Sequence, residues 1–315
     1  MVAWRESLQP LGAKMRRKFY TLDVFAQTAL SGNPLAVVMD TDGLDGARMQ
    51  AIAKEFNLPE TVFVFPARNP LNTAALRIFT PGRELPFAGH PTVGTAVLLG
   101  QLRAPELLAR EDVSVVLEEL VGEVHCIVRH LPGKVARASF TLPKLPEFVE
   151  ALGPVAEIAA ALGLEAGEIG FGAHQPARYS AGVPFAFVPV KARDSLAKIK
   201  LNMAHWAVAF GAGAPVYVYC ADPEGRYHSF RARMFAPDMG ITEDPATGSA
   251  VAAFAGVVMA YEKPKDGDHT LIIEQGFEMG RPSLITLGLD AEGGVLKEAS
   301  IGGHALMVAQ GTIDV

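Results

Sequence analysis

The stretch from Arg233 to Ala260 reads RMFAPDMGITEDPATGSAVAAFAGVVMA, and it combines the end of a strand, a Gly/Pro turn and the start of a long apolar helix. The stretch from Arg77 to Leu99 reads RIFTPGRELPFAGHPTVGTAVLL and follows the same plan. Both open with Arg-x-Phe-x-Pro, and after a two-residue slip His90-Pro-x-x-Gly-Thr-Ala-Val matches Asp244-Pro-x-x-Gly-Ser-Ala-Val. The two stretches therefore predict two copies of one structural unit.

A third pair of segments supports the duplication. Gly32-Asn-Pro-Leu-Ala-Val-Val resembles Gly182-Val-Pro-Phe-Ala-Phe-Val, again at a separation of about 150 residues. With 315 residues, the chain suits two domains of that size. We predict an N-terminal extension over residues 1–14, an N-terminal lobe over 15–145 and a C-terminal lobe over 146–315, with final strands able to cross back to the N-terminal lobe.

Each half combines short runs typical of β-strands with one long, strongly apolar helix. These helices, predicted over 90–102 and 245–261, are apolar on every side for most of their length, and such a helix has to be buried on every side. A sheet that curls around the helix achieves this burial. The predicted fold class is α+β, with two pseudo-symmetric lobes, each a curved, mostly antiparallel sheet wrapped around a central apolar helix.

Shorter helices and the strands follow from the same patterns. Helices are predicted over 45–56, 155–162 and 194–210, the last as one or two segments. Strands are predicted over 19–25, 35–39, 61–65, 72–79, 113–118, 123–129, 135–141, 185–190, 216–220, 228–235, 270–275, 283–289, 294–299 and 303–309. Residues 80–86 are predicted as a loop and 142–147 as a break between the halves.

Composition excludes several classes of protein. Charged residues make up 20% of the chain, the net charge is −6 and the basic residues are scattered, so no nucleic-acid partner is expected. The longest nearly uncharged apolar run, Ser249–Tyr261, is shorter than the about 20 residues that span a bilayer, so no membrane partner is expected. Residues 1–14 lack a signal core, and the predicted location is the cytoplasm. Cys126 and Cys220 lie outside any C-x-x-C pair and are typical of buried free thiols.

The two apolar helices share a start in which a polar residue precedes proline. Asp244 is a favoured N-cap residue and Pro245 suits the first helical position, and His90-Pro91 follows the same plan with a weaker cap. In a duplicated fold the two helix N-termini would point their free N–H groups at a shared cleft, where they attract an anion. Capping alone is the competing interpretation of Asp244.

Other residues fit the same cleft. Gly89 and Gly248 allow a close approach of the backbone, and Ser249 places a hydroxyl near a helix start, although small-residue packing also explains it. Glu60 follows a helix break and precedes an apolar strand, so partial burial would raise its pKa toward a value useful in acid–base catalysis. A solvated loop carboxylate is the alternative for Glu60. No phosphate-loop, dinucleotide or metal-ligand pattern occurs, so neither a cofactor nor a metal is expected.

Four motifs in the chain resemble those of one family, the PhzF-like (phenazine biosynthesis) isomerases. They are Asn57-Leu-Pro-Glu-Thr-Val-Phe-Val, Gly89-His-Pro-Thr-Val-Gly, Glu243-Asp-Pro-Ala-Thr-Gly-Ser-Ala and Gln275-Gly-x-x-Met-Gly-Arg-Pro-Ser, in the family's order. The resemblance implies the diaminopimelate epimerase-like fold, with the active site between two similar lobes, and a homodimer. It also implies activity without a cofactor, since the best-known member isomerises trans-2,3-dihydro-3-hydroxyanthranilate without one.

The resemblance assigns roles to single residues. Glu60 corresponds to the acid/base that moves a proton between carbons. The supporting polar residues correspond to His90, Asp244 and Ser249. Contacts to the substrate carboxylate and ring correspond to Gly89, Thr247 and Gly248.

One difference from the wider fold family narrows the range of reactions that the site can support. Diaminopimelate epimerase uses two cysteines, and the corresponding positions here are Ala88 and Pro245. Racemisation by two thiols is therefore excluded, whereas one carboxylate that removes and returns a proton gives isomerisation of a conjugated substrate.

Three functions follow as alternatives. The first is a cofactor-independent isomerase that acts on a small, carboxylate-bearing conjugated substrate. The second is a racemase or epimerase of amino or hydroxy acids that uses Glu60 and His90 as bases in place of thiols. The third is a non-catalytic small-ligand-binding relative that keeps the fold.

Overall fold

The computed structural model describes residues 15–130, 133 and 135–315, and the extension predicted over residues 1–14 lies outside this part of the chain. The strands of the first half are β1 (Arg16–Val24), β2 (Asn33–Val38), β3 (Glu60–Phe65), β4 (Ala74–Phe79), β5 (Glu84–Leu85), β6 (Val113–Glu119), β7 (Gly122–Arg129) and β8 (Arg137–Thr141). Those of the second half are β9 (Glu147–Ala151), β10 (Ala177–Ser180), β11 (Pro184–Pro189), β12 (Val216–Cys220), β13 (Phe230–Ala236), β14 (Ile241–Asp244), β15 (Gly267–Gln275), β16 (Ser283–Glu292) and β17 (Val295–Asp314).

The α-helices are fewer than the strands, as expected for an α+β protein. They are α1 (Gly46–Phe56), α2 (Gly89–Arg103), α3 (Pro105–Leu108), α4 (Val155–Leu162), α5 (Arg193–Lys198), α6 (Met203–Phe210) and α7 (Gly248–Tyr261). The strands join into one mixed sheet network of 17 strands. Within the described residues, no helix has the length and apolar character needed to cross a membrane.

The same series of strand pairings occurs twice along the chain. In the first half, β1–β2 is antiparallel, β2–β3 parallel, β3–β4 antiparallel, β4–β6 parallel and β6–β7 antiparallel. In the second half, β10–β11 is antiparallel, β11–β12 parallel, β12–β13 antiparallel, β13–β15 parallel and β15–β16 antiparallel. Short antiparallel strands, β5 and β14, pair with β4 and β13 at equivalent points.

The last strand joins the two halves. β17 pairs antiparallel with β16, with β8 and with β1, whose residues Arg16–Val24 meet Ala305–Asp314. The largest apolar cluster likewise contains residues of both halves, among them Val97 of α2 and Phe254 of α7. The core is therefore continuous across the boundary predicted near residue 145.

In each half, central strands of the sheet are buried on both faces. In β12 the alternate residues Tyr217 and Tyr219 belong to the cluster around α7, and Val216, Val218 and Cys220 belong to the cluster under α4 and α6. In β3, Val62 and Val64 face the α2 side while Phe63 packs with Met49 of α1. Because side chains of a strand alternate between faces, such strands have no polar face.

The two apolar helices form the centre of the molecule. In α2 every residue from Gly89 to Gly100 is buried, and α7 is buried along nearly its whole length. Gly94 of α2 shows how closely helix and sheet approach, since a Cβ there would lie 2.6 Å from the Val24 side chain and 2.7 Å from that of Leu35. The prediction that both helices are buried on all sides is confirmed.

The C-terminal prediction of two strands over 294–299 and 303–309 was wrong. β17 runs without a break through Gly302 and Gly303. A Cβ at Gly302 would lie 2.8 Å from the Ala138 carbonyl oxygen, and one at Gly303 would lie 2.3 Å from the Phe25 ring. These glycines serve close packing within a strand, whereas the sequence prediction left residues 300–302 outside both strands.

Four short strands were also absent from the sequence prediction. They are β5 within the predicted loop, β9 after the predicted break, and β10 and β14. Each has only two to five residues, and so short a run carries little periodic signal.

Candidate active site

The N-termini of α2 and α7 meet at two glycines. A Cβ on Gly89 would lie 3.4 Å from Gly248 Cα, and a Cβ on Gly248 would lie 3.5 Å from Gly89 Cα and 3.3 Å from the ring of Phe25. Any larger side chain at either position would therefore fill the space between the helices. The two glycines let the helix starts approach to van der Waals contact.

The first turn of each helix leaves N–H groups without an intrahelical acceptor. No backbone acceptor among the described residues binds the N–H groups of Gly89 and His90 in α2, or those of Gly248 and Ser249 in α7. The dipole of each helix gives a positive electrostatic potential at these N–H groups. This arrangement suits a small anion, as the sequence predicted.

Glu60 lies beside His90 at the start of α2. Glu60 is the first residue of β3, which pairs with β2, and His90 is the second residue of α2. Glu60 Oε2 lies 3.2 Å from His90 Nε2, and the side chains are 17% and 6% exposed, respectively. Neither of these two atoms has a well-aligned hydrogen-bond partner among the described residues. A buried imidazole and a buried carboxyl group are thus in contact, with hydrogen-bonding capacity left for a ligand.

Burial controls the charge of this pair. Removal from water raises the pKa of Glu60 to about 8, with a further increase from the nearby charge of Asp244. Burial also lowers the pKa of His90 to about 3, against the opposing effect of a hydrogen bond to the backbone of Pro34. At pH 7 the imidazole is neutral and Glu60 is mainly protonated, so the contact is not an ion pair. A carboxyl group with a pKa near neutral pH can both accept and return a proton.

Asp244 lies at the start of α7 but does not cap it. Asp244 ends β14, and α7 begins at Gly248 with Thr247 in the N-cap position. The Asp244 carboxylate accepts hydrogen bonds from Asn33 Nδ2 at 3.0 Å and from the Thr247 hydroxyl. Burial raises the pKa of Asp244 to about 6, and these hydrogen bonds oppose the increase. The N-cap prediction for Asp244 was wrong because its backbone belongs to a strand paired with β13.

The equivalent prediction for His90-Pro91 was also wrong. α2 begins at Gly89 with Ala88 in the N-cap position, so His90 and Pro91 lie inside the first turn. The residues at equal distance from the two helix starts are therefore His90 and Ser249, both second in their helices.

Two buried amide side chains, missed by the sequence prediction, organise the α7 side. Asn33 Nδ2 donates to Asp244 and also to the Ala246 carbonyl oxygen at 2.9 Å. Gln275 accepts from the Thr247 N–H at 3.1 Å, and its Nε2 lies 2.8 Å from the Asp244 carbonyl oxygen and 2.9 Å from Thr247 Oγ1. Asn33 belongs to the repeated Gly32-Asn-Pro segment and Gln275 opens the Gln275-Gly motif, so both lie in segments that stood out in the sequence, but neither was predicted as a site residue.

Arg281 binds the segment of the chain that precedes Asn33. Its guanidinium donates to Asp23 Oδ1 at 2.6 Å and to the carbonyl oxygens of Ser31 and Gly32 at 2.8 Å. The arginine therefore holds the segment that carries Asn33. No group of three or more His, Cys, Asp or Glu residues able to hold a metal ion occurs in the described part of the chain.

All seven predicted site residues lie around the meeting point of the two helices. Glu60 contacts His90, Asp244 contacts Thr247, and Gly89 contacts Gly248. Ser249 is the remaining member, and its backbone nitrogen would lie 3.6 Å from a Cβ on Gly89.

Comparisons with known proteins show the family of the chain. The family model described as "Phenazine biosynthesis-like protein", PhzC-PhzF, matches residues 22–311. The chain belongs to the PhzF family. A trans-2,3-dihydro-3-hydroxyanthranilate isomerase of Pseudomonas fluorescens is 35% identical over 295 residues, which cover 94% of this chain and 98% of the relative. An uncharacterized isomerase of Mesorhizobium japonicum is 48% identical over 303 residues, with 94% and 98% covered.

Solved structures extend the likeness to the whole fold. The phenazine biosynthesis protein of the PhzF family from Bacillus anthracis superposes with a TM-score of 0.84 at 27% identity, covering 96% of this chain and 100% of that one. A hydroxyproline epimerase from Agrobacterium vitis has a TM-score of 0.63 at 13% identity, covering 95% and 93%, and it shares the fold alone. The PhzF-family protein described here is an isomerase with a mixed sheet and few helices.

Proposed function

We propose that this PhzF-family isomerase moves a proton between two carbons of a small, conjugated carboxylate, without a cofactor, and that Glu60 carries the proton. The observation that carries the proposal is the contact of Glu60, whose pKa is about 8, with neutral His90 at the meeting point of two helix N-termini. A proton carrier and an anion-binding surface are thus within reach of one small molecule.

The substrate carboxylate would bind where the helices meet. Free N–H groups of Gly89 and Gly248 would donate to its oxygens, with the hydroxyls of Ser249 and Thr247 beside them. Because neither glycine has a side chain, the carboxylate would approach their N–H groups closely. Binding there would fix the reacting carbons relative to Glu60.

The proton transfer would balance within the site. The ionised Glu60 carboxylate removes a proton from one carbon, and the electron pair of that C–H bond enters the conjugated system. The protonated carboxyl group then returns the proton to a second carbon, which restores Glu60. Asp244, held by Asn33 and Thr247, would keep a polar substituent in place, and neutral His90 would hydrogen-bond the substrate or Glu60.

The geometry favours this proposal over the racemase alternative. A two-base racemase needs its bases on opposite faces of one carbon, whereas Glu60 and His90 are only 3.2 Å apart. No carbon fits between atoms at that distance. The buried thiols offer no second pair, since Cys126 and Cys220 lie in β7 and β12 and burial raises the pKa of both, that of Cys220 to about 11.

The layout and the assembly belong to the same proposal. The repeated strand pairings around α2 and α7 support two pseudo-symmetric lobes with the site between them. We also propose that the protein acts as a homodimer, which light scattering of the purified protein would test. A monomer at micromolar concentration would contradict that part alone.

Exchange with solvent deuterium tests the proton transfer. The protein should incorporate deuterium into trans-2,3-dihydro-3-hydroxyanthranilate, or into another conjugated ring carboxylate of a screened panel, at the carbon that receives the proton. Glu60→Gln should lower this exchange by about 10²–10⁴-fold, the usual contribution of a general acid–base group. Glu123→Gln, at a half-exposed glutamate of β7, is the matched control and should leave the exchange unchanged. Normal exchange in a folded Glu60→Gln variant would overturn the proposal.

A further inference from the structure

A second buried carboxyl group lies behind the N-terminus of α2, outside the proposed reaction. Glu119 is the last residue of β6 and is only 3% exposed. Its Oε1 lies 2.7 Å from the hydroxyl of Thr92 in the first turn of α2, and its Oε2 has no hydrogen-bond partner among the described residues. Burial raises the pKa of Glu119 to about 8, although the Thr92 hydrogen bond opposes this, so the side chain is mainly a neutral acid at pH 7.

The Thr92 hydroxyl has two neighbours but only one proton. Its Oγ1 lies 2.8 Å from the Ala88 carbonyl oxygen and 2.7 Å from Glu119 Oε1. The carbonyl oxygen can only accept, so the bond to Ala88 requires the Thr92 proton. Thr92 can keep that bond and still bond Glu119 only if Glu119 donates its own proton to Thr92 Oγ1. Ionised Glu119 would instead attract the Thr92 proton away from Ala88.

The Ala88 carbonyl is part of the peptide group that carries the Gly89 N–H. The peptide group is planar, so the direction of its carbonyl fixes the direction of its N–H. The Ala88 oxygen accepts from the Thr92 N–H at 3.2 Å as well as from the Thr92 hydroxyl. The side-chain bond is therefore a second restraint on the orientation of the Gly89 N–H.

We propose that Glu119 is a positioning residue whose carboxylic acid O–H, through Thr92, holds the Ala88–Gly89 peptide in the orientation that binds the substrate carboxylate. This rests on the proposed function, because it takes the Gly89 N–H as a ligand of that carboxylate. Glu119 touches no reacting atom; it acts through Thr92 and one peptide group.

The opposite helix start supports the assignment. There the peptide between Ala246 and Thr247 is held at both ends by amides, since Asn33 donates to its oxygen and Gln275 accepts from its N–H. Both helix starts thus have a peptide oriented by buried polar side chains. The groups that bond the α7-side peptide directly are amides, which do not ionise, whereas the hydroxyl that bonds the α2-side peptide is paired with the ionisable Glu119.

NMR of the Ala88 carbonyl carbon tests the link without any substrate. The titratable groups facing this region are Glu119, Cys126 of β7, Glu60, His90 and Asp244, so the titration uses the Glu60→Gln variant to remove the overlapping pKa of about 8. Asp244 and His90 titrate at about 6 and 3, and the pKa of Cys126 is raised out of the range. With ¹³C detection from pH 5.5 to 9.5, the Ala88 resonance should show a step near pH 8. Adding Glu119→Gln should abolish the step; a step that survives would overturn the proposal.

Ligand affinity provides the second test. Anthranilate serves as the carboxylate probe and aniline as the matched ring without a carboxylate. Thr92→Val should weaken anthranilate binding about fivefold to tenfold, while Thr92→Ser, which keeps the hydroxyl, should stay within about twofold of the parent. Glu119→Gln, which keeps a donor to Thr92, should retain affinity at pH 7 and also at pH 9, where the parent weakens.

The outcomes separate this inference from the proposed function. Equal anthranilate affinity in the Thr92→Val and Thr92→Ser variants would overturn the positioning role. A loss of aniline binding in Thr92→Val as large as its loss of anthranilate binding would also overturn it, because the effect would then not depend on the carboxylate. If the parent protein binds no ring carboxylate, the proposed function fails, and the Ala88 titration still decides whether Glu119 controls the peptide. The Thr92 pair changes only one methyl or hydroxyl group, so the test stands even if a Glu119 variant fails to fold.

Discussion

The N-termini of α2 and α7 are alike in backbone geometry and different in chemistry. Both start at a glycine, and a Cβ on either glycine would lie within 3.5 Å of the Cα of the other. The second residue is His90 on one side, in contact with protonatable Glu60, and Ser249 on the other, beside a network of Asp244, Asn33 and Gln275. In the proposed function, the shared geometry supplies an anion-binding surface with matching halves. The difference then places the proposed proton carrier on one side and a fixed polar surface on the other.

This comparison explains how a duplicated fold can support a one-sided reaction. A symmetric site with two equivalent bases suits inversion of a single carbon, because the proton leaves one face and arrives at the other. Moving a proton along a conjugated system needs one base that reaches two carbons. The asymmetry between the helix starts is therefore the structural counterpart of the proposed isomerisation.

The largest expected effect is on the α2 side, where the Glu60→Gln substitution removes a carboxyl group that can ionise. For Glu60 the pKa is 4.5 when exposed and about 8 when folded, so between these values the folded protein binds more protons and its stability falls as pH rises. Glu60→Gln removes this loss. Its free energy of unfolding should equal that of the parent near pH 4.5 and exceed it by roughly 3–5 kcal/mol at pH 9. Urea unfolding at both pH values measures this; a pH-independent difference would contradict it.

On the α7 side, loss of an amide side chain should destabilise the fold, in contrast to the Glu60→Gln substitution. Gln275→Leu would leave the Thr247 N–H and the Asp244 carbonyl oxygen buried without their partner. We expect a loss of roughly 2–4 kcal/mol, because each unpaired buried group costs about 1–3 kcal/mol. Gln50→Leu, which removes one hydrogen bond to the Thr80 carbonyl oxygen at a half-buried site, is the control and should cost about 1 kcal/mol or less. Equal costs would mean that the hydrogen bonds of Gln275 add no more stability than one half-buried hydrogen bond.

The pH dependence of turnover should separate the two sides. If ionised Glu60 removes the proton, kcat/KM should rise with pH to a plateau above about 8 and should be about 100-fold lower at pH 6. Protonation of Asp244, with a pKa of about 6, should add a steeper fall at lower pH. Initial rates from pH 5 to 9.5 with a substrate identified by deuterium exchange provide the profile. A maximum at pH 6 that declines toward pH 9 would show that the acid form of Glu60 begins the reaction.

The smallest expected effect compares two equivalent arginines. Arg77 donates both ends of its guanidinium to Glu84 and lies over Phe79, and Arg233 does the same with Glu243 and Phe235. The Arg233 side chain is 10% exposed and that of Arg77 is 35%. Lysine cannot reproduce the two-pronged bond, so Arg233→Lys should cost about 1–2 kcal/mol and Arg77→Lys less than about 1 kcal/mol. Thermal unfolding of both variants tests the order.

The sequence identified the family, the buried helices and the cluster of site residues, because these depend on motifs and on strongly apolar runs. It misplaced the start of both helices, since Asp-Pro and His-Pro imitate a cap followed by a first-turn proline. In fact Asp244 ends a short strand, and that strand depends on tertiary pairing with β13. The joining of 294–299 and 303–309 into one strand was missed for the same kind of reason.

Some site residues lie in quoted motifs, but the motifs did not show their role. Asn33 and Gln275 are uncharged amides at the ends of two strands, and only their burial beside Asp244 reveals what they do. Glu119 follows another glutamate at the end of a strand and would be taken for a solvated residue. The pKa of each carboxyl group depends on how completely neighbouring elements exclude water, and this cannot be calculated from a linear pattern.

The pairing of β17 with β1 has a consequence for the order in which the chain can fold. β1 begins at Arg16 and its partner ends at Asp314, so nearly the whole chain separates the two edges that must meet. During synthesis the first half emerges without the strand that completes its sheet, and its apolar strand edges stay unpaired until β17 leaves the ribosome. Such non-local closure slows folding. Because β17 joins both halves, the candidate active site is completed late in the folding of each molecule.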